Sequence, residues 1–297
     1  MSGILITNLI DDFLTELDAV RRYSENTISS YRKDLSQFEE FLSEKNIKAV
    51  TQVTEKTIRL FLINLNQQEL SKSSISRKLS ALRSFFDYVV QQVENAANPA
   101  KGIKNPKFKR KLPGTINLDS FYEIFRLLDE DDDLYRRSLK KAIFELLYGC
   151  SLRVSELCSL KVHDVNLTNL TIKVLGKGSK YRIVPLGEKS ADVINKYLDQ
   201  RKEVQSKNFF LDKDGNPIDR WYVYRLVKKY LSKVTDIEQR SPHILRHSSA
   251  TEMLNRGADL MAVKEILGHE NLSTTQIYTH VSVEHLKKSY KSAHPKS

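Results

Sequence analysis

Cysteine, proline and glycine are scarce in this sequence of 297 residues, which holds two, seven and ten of them. The two cysteines, Cys150 and Cys158, form no CxxC pair, so the sequence indicates neither a disulfide framework nor a zinc site. The low proline and glycine content is atypical of collagen-like and low-complexity chains. With 40% hydrophobic and 29% charged residues, the composition predicts an ordered globular protein.

Long apolar runs are absent as well. No stretch approaches the ~20 apolar residues that a membrane-spanning helix needs. The amino terminus carries Asp11 and Asp12 where a signal peptide would have basic residues. We therefore expect a soluble, cytoplasmic protein with no membrane partner.

Acidic residues are fewer than basic ones, with 37 Asp and Glu against 48 Lys and Arg and a formal net charge of +11. Such a surface attracts polyanions, and nucleic acid is the first candidate because Lys and Arg neutralise its phosphates. The charge alone is equally compatible with a basic protein that binds no nucleic acid.

The first 95 residues predict an all-α helical bundle. Apolar residues recur at helical spacing within residues 24–42, 54–65 and 75–89, and no stretch has the alternation of a strand. We expect no clear helix before residue 24. Three basic residues between the apolar positions of the last helix should point away from its buried side and are candidate DNA contacts, although a solvated face has the same pattern. They are Arg77, Lys78 and Arg83.

Residues 96–114 predict a basic linker between two domains. The helical periodicity fails there, three prolines punctuate the segment, and six Lys and Arg residues occur without one acid. Lys109 and Arg110 are candidate contacts to a DNA backbone, and a solvated hinge is the alternative.

Residues 115–297 predict a mixed α and β domain that is mainly helical. Polarity alternates within residues 170–174 and 182–186, on either side of the turn 176–180, which predicts a β-hairpin. The segments that follow the hairpin have helical spacing and are separated by short turns.

A helix start is predicted at Ser241 and Pro242, because Ser is a common cap and Pro suits the first helical position. This helix would carry His243 and Arg246 on one face. Taken singly, each of these has a plainer explanation as an ordinary surface side chain.

A helix end is predicted at Gly268, directly before His269. Ser273 can cap a final short helix that carries Tyr278 among polar neighbours. Its phenol would then be accessible, and a packing role is the alternative for Tyr278 alone.

A metal site is not expected. His243 and His247 lie four residues apart, as metal ligands on a helix can, but Ile244 occupies the place where the zinc-protease motif has its Glu. We therefore expect neither a metal ion nor another cofactor.

Five motifs, taken together, are more specific than any one residue. In chain order they are Ser151-Leu152-Arg153-Val154-Ser155-Glu156-Leu157, Gly176-Lys177-Gly178, the His243-x-x-Arg246 pair, Leu267-Gly268-His269, and the segment from Ser273 to His280. They resemble the tyrosine recombinases of the phage-integrase family, most closely the XerC and XerD subfamily, and the resemblance covers essentially the whole chain. Two positions depart from that pattern: Ser151, where the family often has Gly, and Tyr181, in a stretch that is usually more charged.

The resemblance implies a two-domain fold. An all-α, SAM-like core-binding domain would span residues 1–95, with the basic linker at 96–114. A mainly helical α+β catalytic domain of the DNA breaking-rejoining type would span 115–297 and end in a tail helix. The short apolar stripe around Tyr290 would dock on a neighbouring protomer, and packing within its own chain is the alternative.

The resemblance also implies the roles of the site residues. They are Tyr278 as the nucleophile, Arg153 and Arg246 as the phosphate clamp, Lys177 as the general acid, and His243 and His269 as further members of the site. Glu156 lies one turn beyond Arg153 and would orient it, although a helix-surface acid is an equally good interpretation.

The implied function is site-specific recombination of double-stranded DNA through a 3′-phosphotyrosine, as in the resolution of chromosome dimers. The implied partners are a recombination site, recombinase protomers that form a tetramer, a second related recombinase, and an FtsK-like DNA translocase.

Three alternatives remain at this point. A mobile-element integrase would share the motifs, but it often has an additional arm-binding domain, for which 23 residues before the first clear helix leave little room. A type IB topoisomerase would relax supercoils without a specific site. A non-catalytic DNA-binding module would lack the chemistry, although all the expected catalytic residues are present.

Overall fold

The described residues of the computed structural model are 5–21, 23, 25–107, 114–176, 181–201, 206–268, 290, 292 and 293. They form two compact units, one within residues 1–111 and one within residues 112–297. Each unit has its own hydrophobic core. Within these ranges, no helix is both long enough and apolar enough to cross a bilayer.

The amino-terminal unit is a helical bundle around an aromatic core. Its described helices are α1 (Ile6–Ala19), α2 (Glu25–Glu44), α3 (Glu55–Gln67) and α4 (Lys72–Gln92). The hydroxyls of Thr54 and Ser71 accept hydrogen bonds from the backbone N–H groups of Thr57 and Ser74, which explains where α3 and α4 begin. The fully buried rings of Phe13, Phe38, Phe61, Phe85 and Phe86 form the centre of the core.

Helix α1 corrects one expectation. We expected no clear helix before residue 24, and this is wrong. Six apolar residues at helical spacing are buried along one side of α1. They are Ile6, Leu9, Ile10, Phe13, Leu14 and Leu17.

The second unit combines helices with one small sheet. Its elements are α5 (Leu118–Asp129), α6 (Leu134–Tyr148), α7 (Val154–Ser159), β1 (Val165–Asn166), β2 (Thr171–Leu175), β3 (Tyr181–Pro185), α8 (Glu188–Gln200), α9 (Arg220–Val234), α10 (Pro242–Asn255) and α11 (Leu260–Leu267). The predicted fold class is confirmed: a helical amino-terminal unit is followed by a mainly helical α+β unit.

The sheet is antiparallel in the order β1-β2-β3. Strands β2 and β3 are those of the predicted hairpin, while β1 was not expected. Ile172 lies opposite Val184, and both side chains are buried against the helices. This packing fixes the register of β3, because a slip of one residue would turn its other face inward.

The residues described in the tail lie against the same unit. Tyr290 and Ala293 are buried, and the Tyr290 hydroxyl donates a hydrogen bond to the Gly149 carbonyl over 2.8 Å. Tyr290 therefore packs within its own chain in this structure, which is the alternative to docking on a neighbouring protomer.

Candidate active site

The first part of the candidate site is the start of α7. Arg153 occupies the position before this helix, and Glu156 lies in its first turn. One Glu156 carboxylate oxygen accepts the Arg153 backbone N–H over 2.8 Å, and the other accepts from Arg153 Nη1 over 2.7 Å. The glutamate thus satisfies an N–H group that the helix itself cannot. It also fixes the base of the arginine side chain.

Glu156 is buried and is the centre of a cluster of three arginines. Arg182 on β3 donates from Nη1 and Nη2 to the two carboxylate oxygens over 2.6 and 3.0 Å. Arg246 on α10 lies further away, with its Nη1 3.8 Å from Glu156 Oε2. The side chains of Arg153, Arg182 and Arg246 are 31%, 12% and 9% exposed. Among the described residues, Glu156 is the one acid within ion-pair distance of these three.

The same three arginines hold the carboxyl end of α11. Arg182 Nε donates to the Ile266 carbonyl over 2.9 Å, and Arg153 Nη2 donates to the Gly268 carbonyl over 2.8 Å. Arg246 Nη2 donates to the Leu267 carbonyl between them. Helix ends leave carbonyls without partners within the helix, and cations near that end are favoured by the helix dipole.

Gly268 is required at this helix end for two reasons. Its φ is +60°, in the left-handed region that glycine adopts without a steric penalty. A β-carbon at this position would also lie 3.1 Å from Cδ, Nε and Nη1 of Arg182. The Leu267-Gly268 motif therefore lets the backbone come close to the arginine.

Ser151 links the turn after α6 to α10. Its φ is +52°, and its carbonyl accepts a hydrogen bond from Arg246 Nη1. Its hydroxyl bonds to that of Ser249 over 3.0 Å, and both serines are buried. This left-handed backbone explains physically why glycine suits the position, and the hydroxyl pair is what this chain gains by having serine.

The charges of the cluster shift the pKa values of its members. Burial alone raises the pKa of Glu156, but the hydrogen bonds and charge of Arg182, followed by the hydrogen bonds of Arg153, lower it below its ordinary value. Burial and the neighbouring Arg153 lower the pKa of Arg246 to about 9, so it stays charged at neutral pH.

His243 lies one turn before Arg246, at the start of α10 as expected. Partial burial and the positive charges of Arg246 and Arg153 lower the pKa of His243 below its ordinary value of 6.5. The imidazole is therefore neutral at neutral pH and can accept a proton.

The structure thus brings together four of the residues singled out from the sequence, Arg153, Glu156, His243 and Arg246. Three others, Lys177, His269 and Tyr278, lie outside the described residues. Their roles stay predictions.

Arg182 was missed. In the predicted hairpin it alternates on the same side as Val184, so a charged side chain falls on the buried face of β3. A charge at a buried position usually has a specific partner. This signal could have drawn attention to Arg182.

The candidate DNA contacts of the amino-terminal unit have partners within it. Lys78 is buried with its ammonium 2.8 Å from Asp34, and Arg77 bonds to the same carboxylate. The expectation that Lys78 points away from the core is wrong, since the buried Asp34 holds it there. Arg83 donates to the carbonyls of Ala100 and Ile103. Lys109 and Arg110 lie outside the described residues, and the DNA-binding role of all five residues stays a prediction.

Comparison with known proteins matches two family models to this chain. The phage integrase family matches residues 120–285, and the phage integrase amino-terminal SAM-like domain matches residues 10–93. The tyrosine recombinase XerC of Pelobacter propionicus is 39% identical, covering 96% of this chain and 94% of that protein. The tyrosine recombinase XerD of Staphylococcus haemolyticus is 35% identical, covering 97% of this chain and 99% of that protein.

Two solved structures have similar folds. The XerH site-specific recombinase bound to its palindromic difH substrate, in a post-cleavage complex, is 25% identical with a TM-score of 0.70, covering 97% of this chain and 89% of that chain. A lambda integrase dimer bound to a core site has the same TM-score at 17% identity, covering 93% of this chain and all of that chain, and it supports the fold alone.

Proposed function

Since the chain belongs to the phage integrase family and is a site-specific DNA recombinase of the Xer type, we propose that it cuts and rejoins DNA through a 3′-phosphotyrosine bond at Tyr278. The observation that carries the proposal is the arginine cluster. Three guanidinium groups share one carboxylate, which leaves two positive charges uncompensated by the described residues. A backbone phosphate is an anion that matches this surplus.

Arg153 and Arg246 would stabilise the transition state. As the tyrosine oxygen adds to phosphorus, the non-bridging oxygens gain negative charge, and a planar guanidinium can donate to them with two hydrogen bonds. Both side chains are oriented by hydrogen bonds to the protein, Arg153 to Glu156 and Arg246 to the Ser151 carbonyl. Such preorganised donors need no rearrangement during the reaction.

The protons would be moved by His243 and Lys177. A free tyrosine has a pKa near 10, so ionising it at neutral pH costs roughly 4 kcal/mol. The neutral His243 would accept the phenolic proton, for which its lowered pKa is suited. Lys177 would donate a proton to the departing 5′ oxygen, and His269 would bond to a phosphate oxygen.

The bond between Tyr278 and the DNA would conserve the free energy of the broken phosphodiester bond. The bond between phosphorus and the 5′ oxygen of the DNA breaks as the bond between phosphorus and the Tyr278 oxygen forms, so one phosphodiester replaces another. A 5′ hydroxyl from another strand can reverse the step and release the tyrosine. Strand exchange then needs no ATP.

The partners follow from the same proposal. Double-stranded DNA with a recombination site is the substrate, and four protomers would assemble on two such sites, with or without a second related recombinase. The resolution of chromosome dimers in the cytoplasm, stimulated by an FtsK-like translocase, is the role we propose. The identity to Xer recombinases over nearly the whole chain supports this role over that of a mobile-element integrase.

A nicked DNA substrate that traps the covalent intermediate tests the proposal. The protein is incubated with it without divalent metal, and the products are separated by denaturing gel electrophoresis. We expect an adduct with the wild-type protein and none with Tyr278→Phe. An adduct that persists in the variant would identify another nucleophile and refute the assignment of Tyr278.

A further inference from the structure

Arg182 lies in the arginine cluster, yet no step of the proposed reaction uses it. Each of its three side-chain nitrogens donates to a protein acceptor: Nη1 and Nη2 to Glu156 and Nε to the Ile266 carbonyl. By contrast, Arg153 and Arg246 donate to described residues from Nη1 and Nη2 but not from Nε. Among the described residues, Arg182 is therefore the arginine of the cluster whose three nitrogens are all used by the protein.

The geometry at Glu156 shows what Arg182 prevents. A buried carboxylate has lost its hydration and is stabilised only by cations and donors that bond to its oxygens. Arg182 occupies both oxygens through a bidentate fork, so the Arg153 guanidinium shares only one of them and Arg246 stays 3.8 Å away. Without the fork, Glu156 would draw Arg246 into a close ion pair and take a second hydrogen bond from the Arg153 guanidinium. The charge needed at a phosphate would then be neutralised within the protein.

Arg182 also joins elements that are distant in the sequence. It extends from β3, binds the acid of α7, and bonds to the last turn of α11. The absence of a side chain at Gly268 is what allows this approach. The position of Arg153 depends on both contacts, since Arg153 bonds to Glu156 and to the Gly268 carbonyl.

We propose that Arg182 is a positioning residue for the recombination reaction, which holds Glu156 and the end of α11 so that Arg153 and Arg246 keep their charge available to the scissile phosphate. This inference rests on the proposed function. It assigns Arg182 no contact with the substrate.

The test uses Arg182→Lys, which keeps the charge but loses the fork, in the full-length protein. The rate of adduct formation on the trapping substrate should fall by about 100-fold, as expected when catalytic groups are displaced by about 1 Å. The affinity for the same DNA, measured by electrophoretic mobility shift, should change little, because Arg182 does not contact DNA.

A second substrate separates positioning from general damage. A methylphosphonate at the scissile position replaces one charged oxygen with a methyl group, so less negative charge develops for the arginines to stabilise. Each variant is compared with the wild type on the same substrate. The defect of Arg182→Lys should be at least about tenfold smaller on the methylphosphonate than on the phosphodiester.

Arg256→Lys is the matched control. Arg256 also pairs with a glutamate, over 2.7 Å to Glu252 on α10, but this pair is exposed and lies outside the cluster. We expect wild-type rates on both substrates. Arg182→Gln is a second variant, in case Arg182→Lys fails to fold, and it should show the same dependence on the substrate.

Each outcome decides one question. If the wild type forms no adduct, the proposed function fails and the inference fails with it. If the wild type is active and Arg182→Lys matches it, the inference alone is overturned. A defect of equal size on both substrates likewise overturns it, because Arg182 would then contribute only to the fold.

Discussion

Among the described residues, each of the two units buries one carboxylate among basic side chains, and the two clusters differ in their balance of charge. In the amino-terminal unit, Asp34 pairs with Lys78, which is 5% exposed, and with Arg77, which is 46% exposed. In the second unit, Glu156 pairs with three arginines, and the most exposed of them, Arg153, has only 31% of its side chain exposed. Both carboxylates are almost fully buried.

The difference distinguishes a structural ion pair from a reactive site. At Asp34 one buried cation balances one buried anion, and the remaining charge of Arg77 is solvated. At Glu156 the surplus charge is held close to the protein interior, where water screens it less. A balanced buried ion pair is compatible with a purely structural role, whereas a surplus of oriented, partly buried cations favours an anionic substrate.

Asp34→Ala should give the largest change in this comparison. It leaves Lys78 buried without its partner, which typically costs about 3–5 kcal/mol. Denaturant unfolding should show this loss, while the folded fraction should form the covalent adduct at the wild-type rate. As a control, Glu55→Ala breaks an exposed pair with Arg59 and should cost under about 1 kcal/mol. If Asp34→Ala lost no more stability than Glu55→Ala, the structural role of the Asp34–Lys78 pair would be contradicted.

Arg246→Ala should show the opposite behaviour. Glu156 keeps Arg153 and Arg182, so its charge stays paired and the fold should persist. Adduct formation should be slower, with an activation free energy raised by about 2.7–4 kcal/mol, the usual cost of removing one oriented donor. A single-turnover measurement on the trapping substrate checks this. A variant that unfolds yet retains its rate when folded would make Arg246 structural, like Lys78.

Glu156→Gln should reveal its effect through pH. The pKa of Glu156 is lowered in the folded protein, so its stabilising contribution is complete above the ordinary value and is lost as the pH falls through the folded value. At neutral pH the variant should be less stable by about 1.5–3 kcal/mol, the range for hydrogen bonds to a charged group. Urea unfolding at several pH values should show this difference shrinking in acid. A difference independent of pH would exclude the charge as its cause.

Ser249→Ala should give the smallest effect. It removes the hydroxyl that bonds to Ser151 and should lower the free energy of unfolding by about 1 kcal/mol. Ser151→Gly loses the same bond but relieves a residue with φ of +52°, which costs about 1–2 kcal/mol in a non-glycine residue. The two variants should therefore differ in stability, with the glycine variant nearer the wild type. Equal losses would mean that the left-handed backbone carries no strain.

Much of the fold could be predicted because apolar periodicity reports which face of each element is buried. The hairpin that becomes β2 and β3 and the helix start at Ser241 both follow from local patterns. Helix α1 has the same kind of pattern and was overlooked. Strand β1 has only two residues, too few for an alternation to be visible.

The contacts of charged residues could not be predicted from spacing. Lys78 falls three residues after Ile75 and four before Leu82, so it lies on the apolar side of α4, but only the fold supplies Asp34 to pair with it. Arg182 is 26 residues from Glu156 in the sequence, and the sheet brings them together. Local patterns indicate that a charge is buried and do not identify its partner.

The bonds at the end of α11 make the length of this helix more constrained than its composition. Adding or removing one residue would rotate the last turn by about 100° and shift it by about 1.5 Å. The carbonyls of Ile266, Leu267 and Gly268 would then miss all three guanidinium groups at once. Leu260, which is exposed, can change freely. In this segment the number of residues therefore matters more than the identity of its exposed side chains, and we expect an insertion of one residue to be more damaging than several exposed substitutions.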